Sequence, residues 1–120
     1  MGNRIAFSDV SRAFLSRFGG RPNPIQAKVW KAFDPAVDSV VIAPTASGKT
    51  EAVFMPVAAE LARRREREAI QCLVISPTRA LASDLHRRLV NPLEKLRLRL
   101  DVATSDRNTV GKRASDILIK

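Results

Sequence analysis

The run Val40–Thr50, VVIAPTASGKT, constrains this chain more than any other part of it. Four apolar residues (Val40, Val41, Ile42, Ala43) stop at Pro44. A loop of small residues (Thr45, Ala46, Ser47, Gly48) follows, and Lys49-Thr50 opens a helical pattern. Strand, phosphate-binding loop and helix, in that order, make a P-loop. Successive backbone N–H groups of such a loop turn inward and form an anion cradle at a helix N-terminus. Its residues are small so that the backbone approaches phosphate oxygens. In this reading Lys49 reaches the β- and γ-phosphates of a nucleotide, and the Thr50 hydroxyl ligates Mg²⁺, a hard cation that keeps most of its waters.

The general pattern is G-x-x-x-x-G-K-[ST], and Ala43 stands at its first glycine. The Ala form resembles motif I of superfamily 2 helicases, where the loop reads A-x-x-G-x-G-K-T. Ala46 occupies the position where that family more often has glycine. Alanine takes positive φ less freely than glycine, so this is a mild departure.

A chain of 120 residues, 45% of them hydrophobic, is at most one domain and long enough to bury a core. Its net charge of +9 is lopsided. Residues 1–60 carry seven basic against five acidic side chains, and residues 61–120 carry fourteen against seven. A basic second half fits either a polyanionic partner or a solvated basic surface. The single cysteine, Cys72, lies in the apolar run Ile70–Ile75 and reads as a buried structural thiol. One cysteine excludes an intramolecular disulfide and suits a reducing compartment, here expected to be the cytoplasm. No run approaches the ~18 apolar residues of a membrane span, and no signal peptide, repeat or low-complexity tract is seen.

Phe7–Phe18 reads as an amphipathic helix, with Val10, Phe14 and Phe18 at four-residue spacing, Ser8 as N-cap and Gly19-Gly20 as its stop. A second short helix covers Ala27–Phe33, with Asn23 as natural cap and Pro24 in the first turn. On its own, Gln26 is an exposed or capping amide on that helix. The segment FGGRPNPIQ, however, lies just upstream of the P-loop and resembles the Q motif of DEAD-box and related helicases. The resemblance implies that Gln26 reads the adenine edge through its amide, with Phe7 or Phe18 stacking on the base.

A strand is expected through Val40–Ala43. A helix from Lys49 to about Arg67 should present Val53, Val57 and Leu61 on one face and kink at Pro56. The charge run Arg63–Glu68 reads as a solvated helix end with pairs Glu60–Arg64 and Arg64–Glu68. Ala69–Ser76 reads as a buried strand, as parallel strands are. Pro77-Thr78-Arg79-Ala80-Leu81 follows, then a helix with Leu81, Leu85 and Leu89 on one face that Pro92 ends or interrupts. By itself PTRAL is a Thr cap beside an exposed Arg. It also resembles motif Ia (PTRELA in DEAD-box proteins, PxKAL in the Lhr-type group), which implies that Pro77, Thr78 and Arg79 hold a nucleic-acid backbone. His86 reads as a surface residue. Leu98–Thr104 alternates as a strand, Ser105-Asp106 stands near a family loop whose Gly is absent here, and Asp116–Ile119 begins a final strand.

None of the twelve Asp and Glu residues follows an apolar strand in the form hhhhDE. The resemblance therefore implies a truncated first lobe of a superfamily 2 helicase of DEAD/DEAH type, closer to the Lhr-type group than to strict DEAD-box enzymes. Its expected fold is α/β: a RecA-like P-loop NTPase, three-layer, with a parallel sheet and flanking helices. Residues 1–36 would form N-terminal helices with the Q-motif-like segment. Residues 37–120 would form a partial ATP-binding domain ending before motif II, with no catalytic residue present. The implied cofactors are ATP and Mg²⁺, the latter on Thr50. The implied nucleotide-binding set is Gln26, Ala43, Pro44, Thr45, Ala46, Ser47, Gly48, Lys49 and Thr50. The implied partners are a single strand of RNA or DNA and a second RecA-like lobe in a longer protein. The expected role is ATP-dependent unwinding or remodelling, with this chain alone binding nucleotide weakly and unwinding nothing. A non-catalytic nucleotide- or nucleic-acid-binding module remains the alternative. A P-loop kinase or GTPase would lack PTRAL.

Overall fold

The computed structural model describes residues 5–16, 19–64, 69–104, 107–108 and 115–120. They form two compact units, divided between Arg63 and Arg64. Among the described residues no helix is long and apolar enough to cross a membrane.

The first unit is helical: α1 (Phe7–Leu15), α2 (Pro24–Ala32) and α3 (Lys49–Arg63). Both shorter helices pack on α3. Helix α1 buries Val10, Ala13, Phe14 and Leu15, while α3 buries Ala52, Phe54, Met55, Ala58, Ala59 and Leu61. The Phe7 ring lies 4.6 Å from that of Trp30 on α2. Helix α1 starts two residues earlier than a Ser8 cap would place it: Ala6 is its N-cap, without a side-chain bond. Its predicted extension to Phe18 reaches residues outside those described. Gly19 and Gly20 both take positive φ, and the Gly20 N–H bonds back to the Leu15 carbonyl at 2.8 Å. Helix α2 begins with Pro24 behind an Asn23 cap, as the sequence indicates.

Helix α3 runs through Pro56 to Arg63, with residues 65–68 of the charge run, Glu68 included, outside the described set. Val53 and Val57 are only half-buried. Leu61 is buried as expected, and the most deeply buried positions of α3 are Ala52, Met55, Ala58 and Ala59. Near its end Glu60 pairs with Arg63, and that hydrogen bond raises the Arg63 pKa. Arg64 donates to the Gln71 side chain at 3.0 Å.

The expected strand at Val40–Ala43 does not form. These residues have no regular structure, and Val40 and Ile42 are 86% and 92% exposed. An apolar run becomes a strand only when a neighbouring strand takes its backbone groups, and none pairs with it among the described residues.

The second unit holds β1 (Cys72–Val74), α4 (Arg79–Lys95), β2 (Leu100–Thr104), β3 (Arg107–Asn108) and β4 (Ile117–Ile119). The sheet order is β1-β4-β2-β3. Strands β1, β4 and β2 are parallel, with Cys72 and Leu100 both opposite Ile117, and β3 is antiparallel to β2. Helix α4 packs on β2, and the core is Ala82, Leu89, Leu93, Leu98, Leu100, Val102, Ile117 and Ile119. Beneath it, Ser115 donates to the buried Asp101 carboxylate, and Asp116 accepts from the Arg99 N–H at 2.8 Å.

Strand β1 is shorter and wetter than the expected Ala69–Ser76. Among the described residues it is a sheet edge paired with β4 alone, and Leu73 and Ile75 are 55% and 80% exposed. Burial on both faces requires a layer on each, and among its described residues this unit packs one helix, α4, on its sheet. Cys72 is accordingly half-buried, which still pushes its thiol pKa up. In α4 the inward face is Ala82, Leu89 and Leu93, while Leu81, in the first turn, is exposed. Pro92 does not end this helix. It removes one intrahelical donor, and the buried Leu89 and Leu93 on either side hold the turn on the sheet.

Helix α4 ends in a Schellman turn. The Leu98 N–H bonds the Leu93 carbonyl at 2.9 Å, the Arg97 N–H bonds that of Glu94 at 2.9 Å, and Arg97 sits at φ +60°. Glycine is the usual occupant of this position, because it has no Cβ to strain the left-handed conformation. Arg97→Gly is expected to stabilise the chain by about 0.5–1 kcal/mol, read as a higher urea midpoint at unchanged slope.

Candidate nucleotide-binding site

The site in the first unit is built where two helix N-termini meet through one loop. Asn23 caps α2: its Oδ1 accepts from the Gln26 N–H at 2.9 Å, and Gln26 Oε1 accepts from the Asn23 N–H at 2.9 Å. This reciprocal capping box satisfies two donors that the helix start leaves unbonded. The other ends of the same two amides turn to the loop. Asn23 Nδ2 donates to the Ser47 carbonyl at 2.8 Å, and Gln26 Nε2 donates to the Gly48 carbonyl at 3.3 Å. Gln26 is thereby only 4% exposed.

Helix α3 starts directly after Gly48, whose carbonyl also takes the first intrahelical bond, from the Ala52 N–H at 3.0 Å. Gly48 holds φ +76°, and an added Cβ would lie 2.5 Å from Gln26 Nε2 and 3.1 Å from Asn23 Nδ2. Ala46 also takes a positive φ, +62°, at the position where glycine is the easier occupant. The Lys49 ammonium folds back and donates to the Ala43 carbonyl at 3.0 Å, closing the loop on its own entrance. Lys49 is exposed, and Thr50 is half-buried in the first turn of α3. Ser47 Oγ is buried without a hydrogen-bond partner among the described residues.

These residues fit a polyphosphate. The loop sits at the N-terminus of a fifteen-residue helix, where backbone donors and the dipole favour an anion. It carries an exposed cation in Lys49, a buried Ser47 hydroxyl without a partner among the described residues, and a glycine whose Cβ would fill the fold of the cradle. No group of three or more His, Cys, Asp or Glu side chains able to hold a metal occurs among the described residues.

In the second unit Thr78 is the N-cap of α4, its Oγ1 accepting from the Leu81 N–H at 3.1 Å. Pro77, Thr78 and Arg79 are all exposed. Phe7, one of two candidate adenine platforms, is half-buried beside Trp30. Phe18, Ser105, Asp106, Lys112 and Arg113 lie outside the described residues.

A family model for the DEAD/DEAH box helicases matches residues 23–120, from the Asn23 cap through the phosphate loop to the last strand. The chain belongs to the DEAD/DEAH box helicase family. Its fold is therefore α/β, of the RecA-like P-loop kind, with the small parallel sheet of β1, β4 and β2 as its visible part. Among its relatives are the Lhr helicase/probable uracil glycosylase of Mycolicibacterium smegmatis, 39% identical over 72% of this chain and 6% of the relative. The ATP-dependent RNA helicase DBP3 of Saccharomyces cerevisiae is 39% identical over 77% of this chain and 17% of its own. The Lhr helicase/uracil glycosylase of Escherichia coli is 30% identical over 94% and 9%. This helicase-family chain thus spans less than a fifth of the length of each of these relatives.

Sequence reasoning placed Gln26 and the loop residues close to one site but missed what Asn23 does there. The Asn-Pro-x-Gln spacing is legible as a capping box. The bond from Asn23 to Ser47 crosses 24 positions and leaves no local signal.

Proposed function

We propose that this chain is the ATP-binding front of the first RecA-like lobe of an ATP-dependent RNA or DNA helicase. The observation that carries the reading is the loop itself: a left-handed Gly48 under the Asn23 and Gln26 amides, with Lys49 closing it at the head of α3. Ala43, Pro44, Thr45, Ala46, Ser47 and Gly48 line the phosphates. Lys49 leaves the Ala43 carbonyl to bind the β- and γ-phosphates, and Thr50 shares Mg²⁺ with them. Gln26 meets adenine with the second N–H of its amide, since one is already given to Gly48. When bound, Mg-ATP supplies the reactive phosphoryl group; the residues named here bind and orient it. Residues 1–36 carry the adenine-side helices and 37–120 the phosphate and strand-binding side. A second RecA-like lobe in a longer protein completes hydrolysis and unwinding, so the chain alone binds nucleotide weakly and unwinds nothing.

Relatives named as RNA helicases and Lhr helicases support a nucleic-acid partner, as do PTRAL at the head of α4 and the basic second half. Pro77, Thr78 and Arg79 would take a single strand's backbone. Arg79→Ala is then expected to weaken binding to single-stranded oligonucleotides uniformly across sequences and to lower the salt slope by about 1, measured by fluorescence anisotropy at several salt concentrations.

The reading is tested by calorimetric titration of the chain with Mg-ATP, beside a phosphate-release assay with and without single-stranded nucleic acid. Saturable binding without release is the expected result. Absence of binding overturns the reading, and release stimulated by nucleic acid overturns its claim that the chain lacks catalysis.

A further inference from the structure

The Asn23 side chain does two jobs with two ends. Its oxygen caps α2, a local task that many residues perform equally well. Its Nδ2 donates to the Ser47 carbonyl at 2.8 Å, a shorter contact than the 3.3 Å from Gln26 Nε2 to Gly48. Ser47 and Gly48 are the two residues ahead of Lys49, so the orientation of their carbonyls fixes where the following N–H groups point. Asn23 Nδ2 also stands 3.1 Å from the place a Gly48 Cβ would occupy, so this amide packs against the bend as well as bonding to it. The loop has reason to need a hold from outside. The apolar run before it pairs with no strand among the described residues, and Ala46 within the loop carries a left-handed conformation that costs alanine more than glycine. Only the helix after the loop anchors it through the chain itself.

We propose that Asn23 is a positioning residue for the phosphate loop: through its amide donor to Ser47 it holds the cradle in its anion-binding shape, separately from its role as helix cap. The assignment rests on the nucleotide reading of the same loop. It predicts that nucleotides are affected according to the phosphates they bring. ATP, which fills the loop, depends on Asn23. AMP, which lacks the β- and γ-phosphates, depends on it little.

The decisive variant is Asn23→Ser. Serine caps a helix about as well as asparagine, is neutral, and lacks the amide that reaches Ser47. Asn23→Asp is the second variant, keeping the cap while setting a carboxylate oxygen against the Ser47 carbonyl. The full chain is titrated with Mg-ATP and with AMP, its helix content and melting temperature are recorded, and backbone hydrogen exchange is followed over residues 45–50 without ligand. Expected for Asn23→Ser are wild-type helix content, faster exchange over residues 45–50, ATP binding weaker by about five- to tenfold, and AMP binding unchanged. Asn23→Asp should be weaker still toward ATP. Unchanged exchange in both variants overturns the proposal, as does an equal loss for ATP and AMP, which would make Asn23 a general support. If the wild-type chain and Lys49→Ala both fail to bind any nucleotide, the nucleotide reading falls. The exchange result then decides alone whether Asn23 holds the loop.

Discussion

Lys49→Ala should reduce Mg-ATP affinity by about 10- to 100-fold while leaving the melting temperature of the chain unchanged. Both halves of this expectation follow from where the side chain lies. Lys49 is exposed, and its ammonium donates to the Ala43 carbonyl, six residues earlier. It packs in no core, so its loss removes little folding energy. Toward a polyphosphate it contributes a charge-assisted hydrogen bond, worth about 1.5–3 kcal/mol, or one to two powers of ten in affinity. The loss should be smaller for AMP, because the phosphates that Lys49 reaches are missing there. Calorimetric titration of both proteins with both nucleotides measures this directly. Equal affinities for ATP in wild type and variant would mean that the ammonium stays on Ala43 and that the loop is not a phosphate cradle.

What the sequence revealed and what it hid divide along the distance over which each interaction acts. Helix α2 and its cap were legible because Asn-Pro-x-Gln is a signal confined to four residues. The start of α3 was legible for the same reason, since Gly48 followed by Lys-Thr marks a bend and a helix head. The Val40–Ala43 run was misread because a strand is not a property of its own residues. Without a neighbouring strand among the described residues to take its backbone groups, the same apolar sequence has no regular structure and leaves Val40 and Ile42 exposed. Strand β1 shows an intermediate case: Cys72–Val74 register with Ile117–Ile119 of β4, while at either side only single bonds follow, from the Gln71 and Ser76 N–H groups to the Asp116 and Lys120 carbonyls. Pro92 misleads in the opposite direction, since α4 runs through it as α3 runs through Pro56, where a helix was expected. A proline's local penalty is fixed, and buried neighbours on the same helix can outweigh it.

The candidate site depends on the same distinction. Its residues were found by motif, one stretch at a time, but what joins them is tertiary: two amides on α2 reaching the carbonyls of Ser47 and Gly48. The consequence is that the start of α2 and the loop ahead of α3 are not independent. A change at either amide must alter the other side, so single substitutions at Asn23, Gln26 and Gly48 should not add when combined.

Gly48→Ala is expected to have the largest effect of any single methyl group added to this chain, lowering stability and nucleotide affinity together. Two costs act at once. At φ +76° a residue with a Cβ is strained by about 1–3 kcal/mol. The Cβ would also lie 2.5 Å from Gln26 Nε2, which must move. That amide is a side-chain end, but it is not loose: it is buried, and its oxygen holds the Asn23 N–H in the capping box. Moving it breaks the cap, at about a further 1 kcal/mol. Gly20→Ala separates the two costs, because Gly20 has φ +74° but nothing within 4 Å of its Cβ position. Both variants should lose the backbone term in urea denaturation; only Gly48→Ala should lose more than that and bind Mg-ATP too weakly to measure. If the two alanines prove equally destabilising and Gly48→Ala keeps wild-type affinity, the close fit of Gln26 over the loop has no energetic weight, and Gly48 is needed for its backbone alone.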